Sequence, residues 1–145
     1  MFTKIKNLFS KPIDKATNAQ INILVVDDNE IDRKVITNIL NRQGYNVFTA
    51  ENGQIGLDQV KAKKPHLVVL DCEMPVMDGV TMCQRLKDDN ATMNIPVIFL
   101  TSVNTPQNIV DCFELDADNY LSKPVNAKIL TSQVGIVLKE YLPPK

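Results

Sequence analysis

The stretch HLVVLDCEMPVMDG, residues 66–79, decides the fold. HLVVL (66–70) is an apolar, β-rich run of the kind that fills a buried strand, and it stops at Asp71. A second acid, Glu73, then a Met-Pro and an Asp-Gly turn at Asp78-Gly79 follow. An unpaired carboxylate is expensive to desolvate. Asp71 is therefore either a solvated strand end or a charge with a use, and the rest of the chain separates the two.

Outward from this run, the period of the apolar pattern alternates. INILVV (21–26) reads as a buried strand, and Ile31, Val35, Ile36, Ile39 and Leu40 follow at helical spacing up to a stop at Gly44. YNVFTA (45–50) is a weaker strand. A helix from Gly53 to Lys63 carries Ile55, Leu57 and Val60 and is closed by Pro65. After residue 79, Val80, Met82, Cys83 and Leu86 give a third helix, and IPVIFL (95–100) a fourth strand. Pro106 suits the first turn of a helix burying Ile109, Val110 and Phe113. NYL (119–121) is a short fifth strand, and a last helix runs from Val125 to Leu142 before Pro143-Pro144. Five βα units predict an α/β domain with a parallel sheet and helices on both faces. The continuous apolar strands agree, since such a sheet is covered on both sides. Right-handed crossovers bring all the strands' C-terminal ends to one edge, where open sheets of this kind bind ligands.

Composition narrows the function classes. A length of 145 residues suits one domain with a real core, and 44% apolar with 23% charged residues is the balance of a soluble globular protein. A net charge of −1 offers no global field for nucleic acid or membrane. Cys72, Cys83 and Cys112 form no C-x-x-C, which fits buried thiols in a reducing compartment and a cytoplasmic location. His66 is the only histidine, so a His-based zinc site is excluded. No apolar run is long enough to span a bilayer, and the N-terminus lacks a signal peptide's continuous apolar core.

Chemistry collects at the predicted edge. The first strand ends in Asp27-Asp28, the third in Asp71 and the fourth in Thr101-Ser102, while Lys123-Pro124 follows the fifth. Taken singly these are ordinary: acids after strands serve as turn residues or caps, and Asp28 or Asn29 would cap the helix near Glu30. Their arrival from four segments at one rim is what points to a site. Three clustered carboxylates repel and require a cation, and a hard divalent ion with oxygen ligands, Mg²⁺, fits best. Mg²⁺ with a lysine suits a phosphoryl group, and an aspartate can accept one as an aspartyl phosphate.

The motifs VVDDNE, VVLDCEMPVMDG, IFLTS and NYLSKPV, in this order over roughly residues 21–140, resemble those of receiver domains of two-component response regulators. The resemblance implies a flavodoxin-like doubly wound sheet of five strands in the order 2-1-3-4-5. It implies that Asp71 accepts a phosphoryl group from a histidine kinase or a histidine phosphotransfer protein. Mg²⁺ would be held by Asp28 directly, by Asp27 through water, by Asp71 and by the backbone carbonyl of Glu73. Thr101 and Lys123 would contact the phosphoryl oxygens. Thr101 and Tyr120 would form the switch that reshapes the surface of the fourth helix, fifth strand and fifth helix for a downstream target protein. Glu73, Ser102 and Asp116 depart from the usual pattern, and the Glu73 side chain is a candidate for setting phosphoryl lifetime. Cys72 reads as buried filler.

The receiver is expected over residues 21–142 with no output domain, hence as a stand-alone protein without direct DNA binding. Residues 1–20 place Phe2, Ile5, Leu8 and Phe9 at helical spacing among Lys4, Lys6 and Lys11, with Pro12 as a stop. Such a short helix is marginal in water. A frayed tail is expected in isolation, with contact to a partner, a membrane surface or a second copy as the alternative. The expected class is a phosphoacceptor signalling protein, not a turnover enzyme. A phosphatase resembling the haloacid dehalogenase group would carry its nucleophile in a D-x-D pattern on the first motif strand, whereas here that strand ends in D-D. A phosphorylation-independent adaptor would be free to lose the acids or Lys123, and all are present. A flavodoxin-type cofactor carrier would need a Ser/Thr/Gly-rich loop after the first strand.

Overall fold

In the computed structural model, which describes residues 18–102 and 119–141, the central strand is the one that carries the apolar run ending in Asp71. The strands are β1 (Asn22–Val26), β2 (Asn46–Ala50), β3 (Leu67–Asp71), β4 (Val97–Thr101) and β5 (Asn119–Ser122). All pair in parallel in the order β2-β1-β3-β4-β5, as the flavodoxin-like reading expected. The helices are α1 (Glu30–Arg42), α2 (Gly53–Lys63), α3 (Gly79–Lys87) and α4 (Ala127–Tyr141), the last being the fifth helix of the sequence reading.

The continuous apolar strands are explained by two cores. Alternate side chains of a strand point to opposite faces. Ile23, Val25, Leu67, Val69, Ile98 and Leu100 pack on one face with Ile36 and Leu40 of α1 and Leu130 and Val134 of α4. Leu24, Val26, Val68, Leu70, Val97 and Phe99 pack on the other with Val60 of α2 and Met82, Cys83 and Leu86 of α3. β2 is the half-exposed edge, matching its weaker pattern.

Local chemistry sets the helix ends. Asn29, Asn52 and Asp78 cap α1, α2 and α3, each accepting from the backbone N–H three residues on. Between Asn29 and Asp28 as cap of α1, the structure selects Asn29. Gly44 ends the first βα unit in the left-handed region at φ 92°, as its identity predicted.

Two local expectations are corrected and the reading of α1 is narrowed. Asp78-Gly79 is not a turn but the cap and first residue of α3. Gly79 is needed because its N–H reaches the Cys72 carbonyl at 2.9 Å, and a Cβ there would run into the Asp71 carbonyl oxygen. α2 is stopped by Lys64 in the left-handed conformation (φ 48°), one residue before Pro65. On α1 the buried stripe is Ile36 and Leu40, while Ile31 and Val35 face solvent. Those two positions lie about a quarter turn or more around the helix from the Ile36 row.

No helix among the described residues is long and apolar enough to cross a membrane. The helix expected after Pro106, Cys112, Asp116, the amphipathic stretch up to residue 17 and Pro143-Pro144 lie outside the described residues.

Candidate functional site

The sheet's alternation places the charges. In β1 and β3, Val25 faces Val69 across the pairing and Val26 faces Leu70, so Asp27 and Asp71 come next, side by side. Both continue the rows that bury Ile23 and Val25, and Leu67 and Val69, on the α1/α4 face. Leu121 packs on that same face, and Lys123 follows it two residues on. The Lys123 N–H donates to the Thr101 carbonyl at 2.8 Å, which extends the β4–β5 pairing and brings the ammonium back over β3. β1 and β3 are also where the strand order reverses, the crevice at which ligands bind in this architecture.

The result is a cluster of buried charge. Lys123 Nζ lies 2.8 Å from Asp27 Oδ2, 3.1 Å from Asp32 Oδ2 and 3.5 Å from Asp71 Oδ2. The other oxygen of Asp27 accepts the Asn29 N–H at 2.9 Å, and Arg33 Nη1 donates to the Asp27 carbonyl at 2.7 Å. Asp27 and Asp71 are buried, and Asp28 is exposed. Carboxylate oxygens of Asp27, Asp28 and Asp71 all lie within 4.8 Å of one another.

This crowding changes the acidity of Asp71. Burial, then the charge of Asp27, push its carboxyl up to about 7; Lys123 and the backbone N–H of Glu73 pull the other way, and Asp28 adds a further push. On Lys123 burial alone would lower the ammonium pKa, but hydrogen bonds to Asp27 and Asp32 and the charges of Asp71 and Asp27 raise it well above the ordinary lysine value. The site therefore carries more negative charge than its lysine neutralises. The donor set is all oxygen and suits a hard cation, so an oxygen-liganded divalent metal fits the residues present.

The sequence-predicted residues divide into two groups. Asp27, Asp28, Asp71 and Lys123 meet in one cluster. Thr101, at the buried end of β4, and half-buried Tyr120 belong to the other face of the sheet, Tyr120 packing on the Leu24–Phe99 core. Thr101 is tied to the cluster through its carbonyl and Lys123. Glu73 is exposed, with its N–H on Asp71. Ser102 is exposed and Cys72 is buried. Beyond them, Pro75 accepts from the Met77 N–H across a turn that holds exposed Val76 at φ 71°. A β-branched residue is rarely found there.

Asp32 and Arg33 were not among the residues read from the sequence. A signal existed for Asp32. It precedes Ile36 and Leu40 by four and eight residues, so an acid stands in the row that α1 buries, one turn above its last apolar contact.

Residues 23–135 match the response regulator receiver domain family. The transcriptional regulatory protein AfsQ1 of Streptomyces coelicolor is 34% identical over 117 residues, which cover 81% of this chain and 51% of that protein. Histidine kinase P4 of Formosa agariphila is 37% identical over 120 residues, covering 83% of this chain and 9% of that protein. The chain thus spans about half or less of these relatives. The signal receiver domain of a signal transduction histidine kinase from Syntrophus aciditrophicus superposes with a TM-score of 0.79 at 31% identity, over 86% of this chain and 94% of that one. The flavodoxin-like sheet, the carboxylate cluster at its switch point and these similarities lead to one conclusion: the chain belongs to the response regulator receiver domain family of two-component signalling.

Proposed function

We propose that Asp71 accepts a phosphoryl group from a phosphohistidine of a histidine kinase or phosphotransfer protein. The observation that carries this reading is the meeting of Asp27, Asp28, Asp71 and Lys123 at the C-terminal end of the central strand. A carboxylate oxygen of Asp71 attacks phosphorus; the O–P bond forms as the N–P bond breaks, and the electron pair returns to the imidazole nitrogen, which takes up a proton. The transfer needs little covalent help beyond position and charge neutralisation. Asp27, Asp28, Asp71 and the Glu73 carbonyl would hold Mg²⁺, which would supply positive charge for the phosphoryl oxygens and favour the ionised Asp71 nucleophile. Both oxygens of Asp27 are already engaged, by Asn29 and Lys123, which supports an indirect role for it and a direct one for exposed Asp28.

Lys123 donates to a phosphoryl oxygen, and the Thr101 hydroxyl to another. Because Thr101 and Tyr120 lie on the second face, a phosphoryl group that draws the Thr101 hydroxyl also alters packing around Tyr120. A local charge event thereby biases the surface beside β5 for a downstream target. The chain acts as a phosphoacceptor and promotes only its own phosphorylation and hydrolysis. Transcriptional regulation, the role that the name of the relative AfsQ1 carries, is not required of this unit, whose product is a changed surface.

Incubation with acetyl phosphate, with and without Mg²⁺, followed by intact mass, tests the reading. Wild type should gain one phosphoryl group only with Mg²⁺, and Asp71→Asn none. An adduct that persists in Asp71→Asn would refute Asp71 as the acceptor.

A further inference from the structure

Resting on that reading, we infer that Asp32 is a positioning residue that holds the Lys123 ammonium toward α1 and competes with a phosphoryl group on Asp71 for it. An ammonium has three N–H donors. Two are committed at hydrogen-bond distance, to Asp27 Oδ2 at 2.8 Å and Asp32 Oδ2 at 3.1 Å. The third is left for Asp71, whose nearer oxygen is 3.5 Å away, beyond a good hydrogen bond. Lys123 is therefore drawn off the acceptor.

The two competing anions differ in freedom. Asp27 is almost fully buried and pinned by the Asn29 N–H. Asp32 is 39% exposed at its side chain and stands in the first turn of α1, where its own N–H is fixed by the Asn29 cap. When Lys123 turns to a phosphoryl oxygen, Asp32 can be resolvated and Asp27 cannot. The Asp32 contact is thus the one that breaks, and its strength sets how readily Lys123 is surrendered. An asparagine here would keep an oxygen acceptor but lose the charge, so the hold on Lys123 would weaken while the shape stays the same.

The probe is beryllofluoride, a tetrahedral phosphoryl mimic that binds a carboxylate oxygen, titrated in saturating Mg²⁺ and followed by ¹⁹F NMR. The variants are wild type, Asp32→Asn, Lys123→Gln and the double variant, with circular dichroism confirming folding. Asp32→Asn should tighten beryllofluoride binding about two- to fivefold, the scale of a part-exposed ion pair. In the Lys123→Gln background the same substitution should have no effect, because Asp32 acts through the ammonium. No tightening in the wild-type background overturns the inference. So does tightening of equal size without Lys123, which would mean that Asp32 merely repels the anion. Absence of any beryllofluoride binding by wild type would instead remove the phosphoacceptor reading, and the role of Asp32 would fall with it.

Discussion

Where β1 and β3 begin, the polar contacts are neutral and reciprocated; where they end, three carboxylates share one ammonium. At the start, the Asn22 N–H donates to His66 Nδ1 at 2.9 Å, the His66 N–H returns to the Asn22 carbonyl at 2.7 Å, and Asn46 Nδ2 donates to Asn22 Oδ1 at 2.9 Å. At the end, Asp27, Asp32 and Asp71 all face Lys123, and Asp71 is left with a carboxyl pushed up to about 7. Both ends cap the same apolar rows, so the fold does not demand the difference. A buried polar group can be satisfied by neutral partners, and the first end shows that this chain does so. The unbalanced charge at the second end is a local conflict of the kind that proteins keep at functional sites.

The largest effect should come from breaking the one compensation the charged end has. Lys123→Met keeps the apolar stem and most of the length of the side chain but strands Asp27 and Asp71 without their cation. Removing one partner of a buried pair is strongly destabilising. Allowing for solvent at the rim, the loss should be on the order of 2–4 kcal/mol in chelator, read from urea unfolding. Asp71→Asn in the same background should recover part of it. A Lys123→Met protein as stable as wild type would show that the charged end is not under electrostatic tension.

A smaller effect, of opposite sign, is expected from neutralising the surplus charge. The folded Asp71 carboxyl stands near 7 against an ordinary value of 3.8, so the folded state binds its proton more tightly than the unfolded chain does. Its contribution to stability is then best below about pH 4, falls as pH rises through 4 to 7, and is flat above. In chelator at pH 8, Asp71→Asn should be more stable than wild type by about 1–2 kcal/mol after discounting for solvent access. The difference between the two proteins should vanish towards pH 4. Mg²⁺ should stabilise wild type more than Asp71→Asn, because the ionised form is what a cation favours. A difference independent of pH would place the cause in packing instead of charge.

How much of this could be read from the chain follows the same division. The order of strands and helices was legible because the apolar runs are long, and in a sheet buried on both faces continuous runs and strands coincide. The charged end was legible because acids that terminate such runs stand out against them. What escaped depends on three-dimensional approach. Asp32, unread in the sequence, is a first-turn acid of the ordinary kind that suits the helix dipole, and only the fold brings it to Lys123. Gly79 looked like a turn because Asp-Gly commonly is one; its need for no Cβ comes from the Asp71 carbonyl, eight residues away. Lys64 took the left-handed position that a glycine would signal, and Pro65 drew attention one residue too far.

The neutral end gives the smallest expected effect and the sharpest control. His66→Ala removes the acceptor for the Asn22 N–H but leaves that group half-buried and close to water. The cost should be about 1 kcal/mol, the net worth of one ordinary hydrogen bond. No charge changes hands at either end, and the variant's only route to Asp71 is through the packed rows of β1 and β3. Mg²⁺ affinity and acetyl phosphate labelling should therefore match wild type when measured well below the unfolding midpoint. If labelling instead falls along with stability, the strands transmit strain from one end to the other, and the two ends must be treated as one coupled system. If it holds, the neutral end serves only the fold, and the imbalance at the other end can be tuned by its own residues alone.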